Sequence, residues 1–305
     1  MALKVKKLVY VGELTRTPDA FDHRGIKQGL EWLGIDYLVV DPVLLSPAEI
    51  INKCNNFGAD LIVHGNTDSL DNGTIPEIKG KQVFFLGDCR TDDYPWDRWG
   101  QNKGYLDHVF ISNRDQLKIW SEKFDCHASF WTHGCYVPDK LEYDKDFAHE
   151  VVFIGTHHDH YPYHVRRDFI KLIESKIPIR HITGSGVEGR NEIWRQMPKI
   201  YHSSKFVLDV SHFWDLKGYA SGRYWYSAGL GGCALTKRFP DCEEFYKDKI
   251  HKLYFDSPEE AAFLYKHYSK YPDEIQRIKQ SAYEWNKKYH NYKVRFKTMF
   301  KILNA

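Results

Sequence analysis

The alternation of short apolar runs with helical patterns most strongly constrains the fold of this chain. The apolar runs KLVYVG at residues 7–12 and DYLVVD at residues 36–41 are separated by the amphipathic pattern FDHRGIKQGLEWLG at residues 21–34. Ser46 and Pro47 then open another helical pattern as a cap residue and a first-turn proline. Further strands are predicted at residues 59–65, 81–88 and 107–112. Nearly continuous apolar strands separated by helices predict a parallel sheet with helices on both faces.

A second series of the same kind begins after a polar, acid-rich linker at residues 137–150. Its predicted strands lie at residues 151–156, 179–184, 205–211, 232–236 and 252–256, and its helices at residues 163–176, 258–270 and 271–289. At 305 residues the chain is long for one core. We therefore predict an α/β protein with two Rossmann-like, doubly wound domains that face each other across a cleft, at residues 1–140 and 150–285. Residues 286–305 form a basic C-terminal segment without an acidic residue.

Composition excludes several classes of protein. The net charge of +2 is near balance, so the whole surface is not that of a strongly basic nucleic-acid binder. The six cysteines lack C-x-x-C spacing, which indicates buried thiols in a reducing compartment rather than a disulfide or zinc framework. The first apolar run is too short for a signal peptide or a membrane span. We expect a cytoplasmic protein, in a bacterium or a virus-infected host cell, without a membrane segment.

Candidate functional residues follow the predicted strands, because ligands of doubly wound sheets bind at the carboxyl ends of the strands. In the first domain these residues are Gly12, His64 and Asp88, and in the second they are Gly155 and Gly184. His64 and Asp88 are the candidate acid–base residues. The chain has no GxxxxGK[ST] motif and no GxGxxG after its first strand, which excludes a P-loop and a standard dinucleotide fingerprint.

The segment GRYWYSAGLGGCALT at residues 222–236 combines an arginine with aromatic residues and glycines. A helix that begins near Arg223 would direct its positive end and the guanidinium of that residue toward a phosphate. Tyr224, Trp225 and Tyr226 would offer a flat wall beside this anion site. The alternative is a helix with a buried aromatic face and a surface arginine.

The histidine-rich segment THHDHYPYH at residues 156–164 raises the question of a metal site. Its histidines and Asp159 are nearly adjacent, and adjacent side chains rarely reach one ion. We expect a polar loop here and no metal, with Arg166 or Arg167 entering the next helix and reaching a phosphate.

Six segments follow one another over residues 150–303: VVFIGT…RRDFIKLI, YHSSKFVLDVS, SGRYWYSAGLGGCALT, CEEFY, LYFDSPEEAAFL and KKYHNYKVRFKTMFKIL. In this order and spacing they resemble the CgeB-like glycosyltransferases of the spore-maturation-protein type. The first half resembles them in its strand–helix order and in HGCYVPD before the linker. The resemblance implies the GT-B fold, with a nucleotide-sugar donor, here a UDP-sugar, on the C-terminal domain and the acceptor on the N-terminal domain. It also implies that residues 286–305 form a helix that crosses back to the first domain.

The resemblance also assigns roles to individual residues. Arg223 matches the arginine expected near the donor diphosphate. Tyr226 stands where related enzymes carry a glutamate for the ribose, so the ribose contact, or the donor itself, differs here. The other candidate donor-binding residues, from strand ends and from matched motifs, are Gly12, Gly155, Arg167, Gly184, Glu243 and Glu244.

The implied reaction is the transfer of a hexosyl or pentosyl group without a metal or another cofactor, because a helix N-terminus and arginines stabilise the departing diphosphate. An inverting enzyme needs a base, for which Asp88 is the first candidate and His64 the second; a retaining enzyme needs no strong base. The acceptor is either a saccharide or surface polymer, or a hydroxymethylated base in DNA, and the residues on its side are Arg90, Trp96 and Trp99. A non-catalytic nucleotide-sugar binder or a nucleotide-sugar epimerase is the alternative function.

Overall fold

The computed structural model describes residues 4–13, 18, 20–65, 67–87, 94–156 and 163–305, with the backbone alone at residues 21 and 163. The chain divides into two compact units. Unit 1 consists of Met1–Pro18, Ile26–His133 and Tyr292–Ala305, and unit 2 consists of Asp19–Gly25 and Gly134–Asn291. The last residues of the chain therefore belong to the same unit as the first strand.

Unit 1 is built on a parallel sheet. Its strands are β1 (Lys7–Val11), β2 (Asp36–Val40), β3 (Leu61–His64), β4 (Gln82–Leu86), β5 (His108–Ile111) and β6 (His127–Phe130). Its helices are α1 (Phe21–Trp32, whose first turn belongs to unit 2), α2 (Pro47–Phe57), α3 (Asp68–Asp71), α4 (Trp96–Trp99) and α5 (Leu117–Phe124), with 3-10 turns at Ile75–Glu77, Gly100–Asn102 and Arg114–Gln116. In the described part of the chain the six strands follow the order β2-β1-β3-β4-β5-β6.

Unit 2 has a second parallel sheet. Its strands are β7 (Val151–Ile154), β8 (Arg180–Ile182), β9 (Phe206–Asp209), β10 (Ala234–Lys237) and β11 (Leu253–Phe255). Its helices are α6 (Tyr163–Glu174), α7 (Gly186–Ser203), α8 (Gly222–Gly229), α9 (Pro258–Tyr268) and α10 (Pro272–Tyr289), with 3-10 turns at Lys145–Phe147 and Cys242–Glu244; α11 (Tyr292–Ile302) follows in unit 1. Among the described residues the order of the five strands is β11-β10-β9-β7-β8.

The first strand shows why its sequence is continuously apolar. Leu8 and Tyr10 of β1 pack in one cluster of buried side chains, which includes Phe296 of α11. Val9 and Val11 pack in another cluster, which is formed with α2 and β2. Successive side chains of a strand point to opposite faces, so the sheet of unit 1 is covered on both faces, as the apolar runs predict.

Helix α2 forms where its cap residues predict it. Ser46 Oγ accepts a hydrogen bond from the backbone N–H of Glu49 at 3.4 Å, and Glu49 Oε2 accepts one from the backbone N–H of Ser46 at 2.9 Å. This capping box satisfies two N–H groups that the helix leaves without partners. Gly58 ends the helix with φ +65°, a left-handed conformation that favours glycine.

The structure differs from the sequence prediction in three elements. Helix α7 lies in a segment that contains Gly186, Gly189 and Pro198, residues that weaken a helical pattern. Strand β6 is a partly exposed edge strand, so its sequence lacks a buried apolar run. The basic segment at residues 286–305 is not one helix. It contains the end of α10 and the separate helix α11, because His290 leaves the helical conformation at φ −126°.

No described helix has the length and apolar character that crossing a membrane requires. Buried thiols lie in both units, at Cys54, Cys135, Cys233 and Cys242, and none of them forms a disulfide within the described residues. Cys126 is half-buried, and Cys89 lies outside the described residues.

Candidate functional site

Two strand ends and the start of one helix come together in unit 2. Strand β7 ends at Ile154, β9 ends at Asp209, and α8 begins after Ser221. Ser221 donates its backbone N–H to Ser211 Oγ at 3.1 Å, which ties the start of α8 to the chain that follows β9. We call the following residues the Arg223 cluster: Ile154, Gly155, Val210, Ser221 and Arg223.

The Arg223 guanidinium is fixed by carbonyl oxygens at both strand ends. Its Nε donates to the Ile154 carbonyl at 2.8 Å, and its Nη1 donates to the Val210 carbonyl at 3.2 Å. The guanidinium carbon lies 4.6 Å from the centre of the Phe153 ring, a cation–π distance. In the described part of the chain, Nη2 makes no hydrogen bond. The arginine therefore presents one nitrogen of a preorganised fork, which suits the oxygen of a phosphate.

Gly155 allows this close approach. A Cβ added at Gly155 would lie 2.5 Å from Arg223 Nη2 and 2.9 Å from the Phe153 ring. The backbone N–H of Gly155 donates to the Ile182 carbonyl at 3.2 Å, which holds the glycine at the end of the sheet. Because residue 155 has no side chain, the guanidinium of Arg223 occupies the space beside the end of β7.

Of the two neighbouring arginines in α6, Arg166 is the one that turns toward the strand ends. Arg166 is buried, its Nη2 donates to the Thr156 carbonyl at 2.6 Å, and its guanidinium lies 5.6 Å from the Phe153 ring. Arg167 Nε instead donates to Asp168 Oδ1 at 2.9 Å. This hydrogen bond lowers the pKa of the exposed Asp168 carboxyl. Arg166 is therefore the one of the two that lies beside the end of β7, next to the Arg223 cluster.

Two further glycine candidates mark tight packing at strand ends. A Cβ at Gly184 would lie 2.7 Å from the backbone of Gly189, so this glycine lets α7 pack closely after β8. A Cβ at Gly12 would lie 2.6 Å from the Tyr10 ring. Gly12 belongs to unit 1 and Gly184 to unit 2.

The acidic pair of the CEEFY motif lies in a 3-10 turn after β10. Glu243 accepts a hydrogen bond from Arg238 Nη1 at 2.8 Å, and Glu244 is exposed. Arg238 also approaches the carboxylates of Asp248 and Asp256 at 3.7 and 3.4 Å. Glu243 is therefore one member of a surface network of charges in unit 2.

Tyr226, which stands in place of a glutamate in the motif, is itself joined to a carboxylate. Its hydroxyl donates to Asp22 Oδ2, and both side chains are half-buried. The ring lies against Gly222, where a Cβ would be 2.7 Å from the tyrosine hydroxyl. An acidic group is thus present beside this position of α8, supplied by Asp22.

His64 lies inside unit 1. Its side chain is fully buried, and its Nε2 is 2.9 Å from Gln82 Oε1. Gln82 in turn donates to the carbonyls of Ile75 and Ile78. Burial lowers the pKa of His64 to about 4, although the hydrogen bond from His64 Nε2 to Gln82 Oε1 opposes this shift. In this conformation His64 supports the turn at residues 75–78 and does not reach the surface, so it is poorly placed to act as a base.

The tryptophans expected on the acceptor side lie in a cluster of aromatic side chains. Trp99 is buried, and its Nε1 donates to Asp71 Oδ1 at 2.7 Å. Trp96 is half-buried and packs against Trp120 with ring centres 5.0 Å apart. Trp99 is therefore a core residue in this structure, and Trp96 keeps part of its ring at the surface. Asp88, Arg90 and the histidines at residues 157–160 lie outside the described residues.

Sequence reasoning missed a buried ion pair beneath the Arg223 cluster. Lys252 Nζ lies 3.4 Å from Asp209 Oδ2 and donates to Ser227 Oγ at 2.7 Å. The only sequence signal is that Asp209 ends an apolar strand, where a charge needs a partner. The described residues hold no group of three or more side chains suited to a metal ion.

Residues 166–301 match the model of a family described as glycosyl transferase-like. This part of the chain is similar to glycosyltransferases. No curated protein sequence matches the chain.

Solved structures cover nearly the whole chain. HepE from Anabaena, in complex with UDP and glucose, is 11% identical with a TM-score of 0.65, covering 98% of this chain and 99% of its own. An alpha-glucosyltransferase in complex with UDP and a 13-mer DNA containing an HMU base is 10% identical with a TM-score of 0.69, covering 99% and 100%. Sucrose-phosphate synthase from Thermosynechococcus elongatus is 11% identical with a TM-score of 0.61, covering 98% of each chain. Likeness at this identity shows the fold, and the prediction of two Rossmann-like units of the GT-B type is confirmed.

Proposed function

We propose that this protein is a glycosyltransferase that moves a sugar from a nucleotide-sugar donor, a UDP-sugar, to an acceptor hydroxyl without a metal ion. The observation that carries the proposal is the Arg223 cluster, where two strand-end carbonyls fix a guanidinium that keeps Nη2 for a ligand. The cluster lies in unit 2, which contains most of the region that matches the glycosyl transferase-like family. Neighbours of the same fold hold UDP in their solved structures, which supports the same nucleotide here. The CgeB-like subtype that the motifs indicate is part of this proposal.

The chemistry assigned to the cluster is the stabilisation of the leaving diphosphate. As the bond between sugar and phosphate breaks, negative charge develops on the diphosphate oxygens. Arg223 and the N-terminal end of α8 offer fixed positive charge and dipoles there, and fixed groups need little rearrangement during the reaction. Asp88 is our candidate for the base that accepts the proton of the acceptor hydroxyl. Trp96 and Arg90 are proposed on the acceptor side, in unit 1.

Ligand-dependent thermal unfolding tests the donor class. The wild type, Arg223→Ala and the control Arg277→Ala would be heated with UDP, GDP, ADP, CMP and their common sugar conjugates. Arg277 is a half-exposed residue of α10 that pairs with Glu274. A ligand at about 100 times its dissociation constant stabilises the fold by about 2.7 kcal/mol. We expect UDP and a UDP-sugar to stabilise the wild type and Arg277→Ala but not Arg223→Ala. If no nucleotide stabilises the wild type, the proposal is wrong.

The acceptor is proposed to be a saccharide or surface polymer, with DNA that carries a hydroxymethylated base as the second candidate. A specific observation favours DNA: Lys293, Lys297 and Lys301 follow one another at intervals of four residues along α11. Residues four apart lie on one face of a helix. The chain has no acidic residue from Asn286 onward. This basic face suits the phosphates of a duplex.

The salt dependence of DNA binding separates the two acceptors. A variant with Lys293, Lys297 and Lys301 changed to glutamine would be compared with the matched control Lys171→Gln/Lys266→Gln/Lys270→Gln, whose lysines are exposed in unit 2. For a DNA acceptor, wild-type affinity for a duplex falls steeply with salt, and each lost phosphate contact reduces the logarithmic slope by about 1. Equal behaviour of the two variants would favour the saccharide. A product formed from the donor alone, without an acceptor, would instead indicate the epimerase.

A further inference from the structure

A buried lysine lies directly beneath the helix that carries Arg223. Lys252 precedes β11, and none of its side chain is exposed. Its Nζ donates to Ser227 Oγ at 2.7 Å and lies 3.4 Å from Asp209 Oδ2. The Tyr224 ring, 4.3 Å away, and the Tyr246 ring, 5.1 Å away, complete its surroundings. A fully buried ammonium persists only where a counter-charge and hydrogen bonds replace water, and all of these are present.

Removing two charges from water carries a desolvation cost, so the burial of this ion pair calls for an explanation. Burial lowers the pKa of Lys252 to about 8, while the nearby Asp209 carboxylate raises it. Thr236 Oγ1 donates to Asp209 Oδ2 at 3.3 Å, but Asp209 Oδ1 is buried without a hydrogen-bond partner in the described residues. Apolar residues that fill the same volume often serve stability as well as a buried ion pair does. The arrangement therefore points to a role in positioning neighbouring elements rather than in stabilising the fold.

Both partners of Lys252 are tied to Arg223 through the backbone. Ser227 lies four residues after Arg223 in α8, so the two side chains lie on the same face of the helix. Asp209 directly precedes Val210, whose carbonyl accepts the hydrogen bond from Arg223 Nη1 at 3.2 Å. Lys252 thus joins the helix that carries the arginine to the strand end that fixes its guanidinium.

We propose that Lys252 and Asp209 are positioning residues for Arg223, which hold α8 against the end of β9 so that the guanidinium is preorganised for the donor diphosphate. This inference rests on the proposed function for its effect on the donor, but not for its effect on the position of Arg223. Single substitutions would leave a buried charge unpaired and destabilise the fold. The double variant Asp209→Asn/Lys252→Met removes both charges and keeps an acceptor for Thr236.

The test combines a structure with a double-mutant cycle. In a crystal structure of the double variant, we expect α8 to move relative to the end of β9 and the hydrogen bond from Arg223 Nη1 to the Val210 carbonyl to be lost; an unmoved Arg223 would overturn the proposal whatever the protein binds. In calorimetric titrations with UDP, the double variant should raise the dissociation constant by about 10-fold, and by less than about 2-fold when Arg223 is already alanine. Equal effects in the two backgrounds would show that the pair does not act through Arg223.

Two further variants keep the test independent of folding and of the donor assignment. If the double variant does not fold, Ser227→Ala removes the hydrogen bond of Lys252 to α8 and leaves the ion pair intact. The same structure determination and titrations are then made on that variant. Lys279→Met is the matched control, because Lys279 is the other buried lysine of unit 2 that we describe, and it donates to the carbonyls of His202 and Ser204. We expect it to leave UDP affinity unchanged. If the wild type binds no UDP, the proposed function fails, and the position of Arg223 in the variant structures still decides this inference.

Discussion

Replacement of Gly155 by alanine tests the geometry of the Arg223 cluster with a single methyl group. The methyl carbon would lie 2.5 Å from Arg223 Nη2, whereas carbon and nitrogen atoms in contact lie about 3.5 Å apart, so the guanidinium must withdraw by about 1 Å. The hydrogen bond from Nε to the Ile154 carbonyl is 2.8 Å long. A shift of about 1 Å takes it beyond hydrogen-bond range, and a hydrogen bond to a charged group contributes about 1.5–3 kcal/mol. The methyl group cannot turn away from the arginine, because the Phe153 ring lies 2.9 Å from it as well.

A hydrogen bond between Arg223 and the diphosphate should contribute a similar energy, about 1.5–3 kcal/mol, to donor binding. If the displaced arginine no longer contacts the diphosphate, the dissociation constant for UDP should rise by about 10- to 100-fold. Calorimetric titration measures this change. Gly189→Ala in α7 is the matched control, since a Cβ there has no neighbour closer than 3.7 Å, and alanine is favoured over glycine inside a helix by about 0.5–1 kcal/mol. The reasoning is refuted if Gly155→Ala binds UDP within about 2-fold of the control.

Three further predictions concern stability and are read by urea unfolding. Burial lowers the pKa of Lys279 from 10.5 to about 8, so between these pH values this residue binds more proton in the unfolded chain than in the folded one, and its own contribution to the free energy of unfolding should rise with pH. The free energy of unfolding of the wild type minus that of Lys279→Met should therefore increase above about pH 8, and a difference that does not change with pH would contradict this prediction. Trp99→Ala empties a core site and should cost about 3–5 kcal/mol, whereas a surface role predicts almost no cost. Tyr226→Phe removes a donor from Asp22 and should cost about 1–3 kcal/mol, and an unchanged midpoint would show that water replaces the hydroxyl.

The fold could be predicted because short local patterns in the sequence mark the strands and helices of both sheets. Parallel strands with both faces buried need continuous apolar runs, as β1 shows, and cap residues such as Ser46 mark where helices begin. Helix α7 was not predicted, because its sequence lacks a clear local pattern. Its glycines and Pro198 weaken the local pattern, and packing within unit 2 rather than intrinsic propensity stabilises it.

The candidate site could be predicted only as far as the ends of strands. The rule that ligands bind there selects Arg223 and His64 alike, but the direction of a side chain depends on its neighbours in the sheet. His64 is in register with Phe84 of β4 and is enclosed by the sheet and Gln82, whereas Arg223 donates to two backbone carbonyls and its Nη2 makes no hydrogen bond within the described residues. Likewise, Arg166 and Arg167 are adjacent in sequence, and only the phase of α6 decides that the first turns toward Thr156.

The buried ion pair marks the limit of local patterns. Asp209 and Lys252 are 43 residues apart, and each alone resembles an ordinary charged residue beside a strand. Their proximity follows from the register of the sheet, because Asp209 pairs with Thr236 and Thr236 pairs with Tyr254, which places Lys252 two residues from the level of Asp209 with β10 between them. A charged residue whose sequence context predicts exposure, but which the fold buries, needs a residue of opposite charge beside it. Because Lys252 contacts both Asp209 of β9 and Ser227 of α8, a change in this pair should change the position of α8, and of Arg223, relative to the sheet.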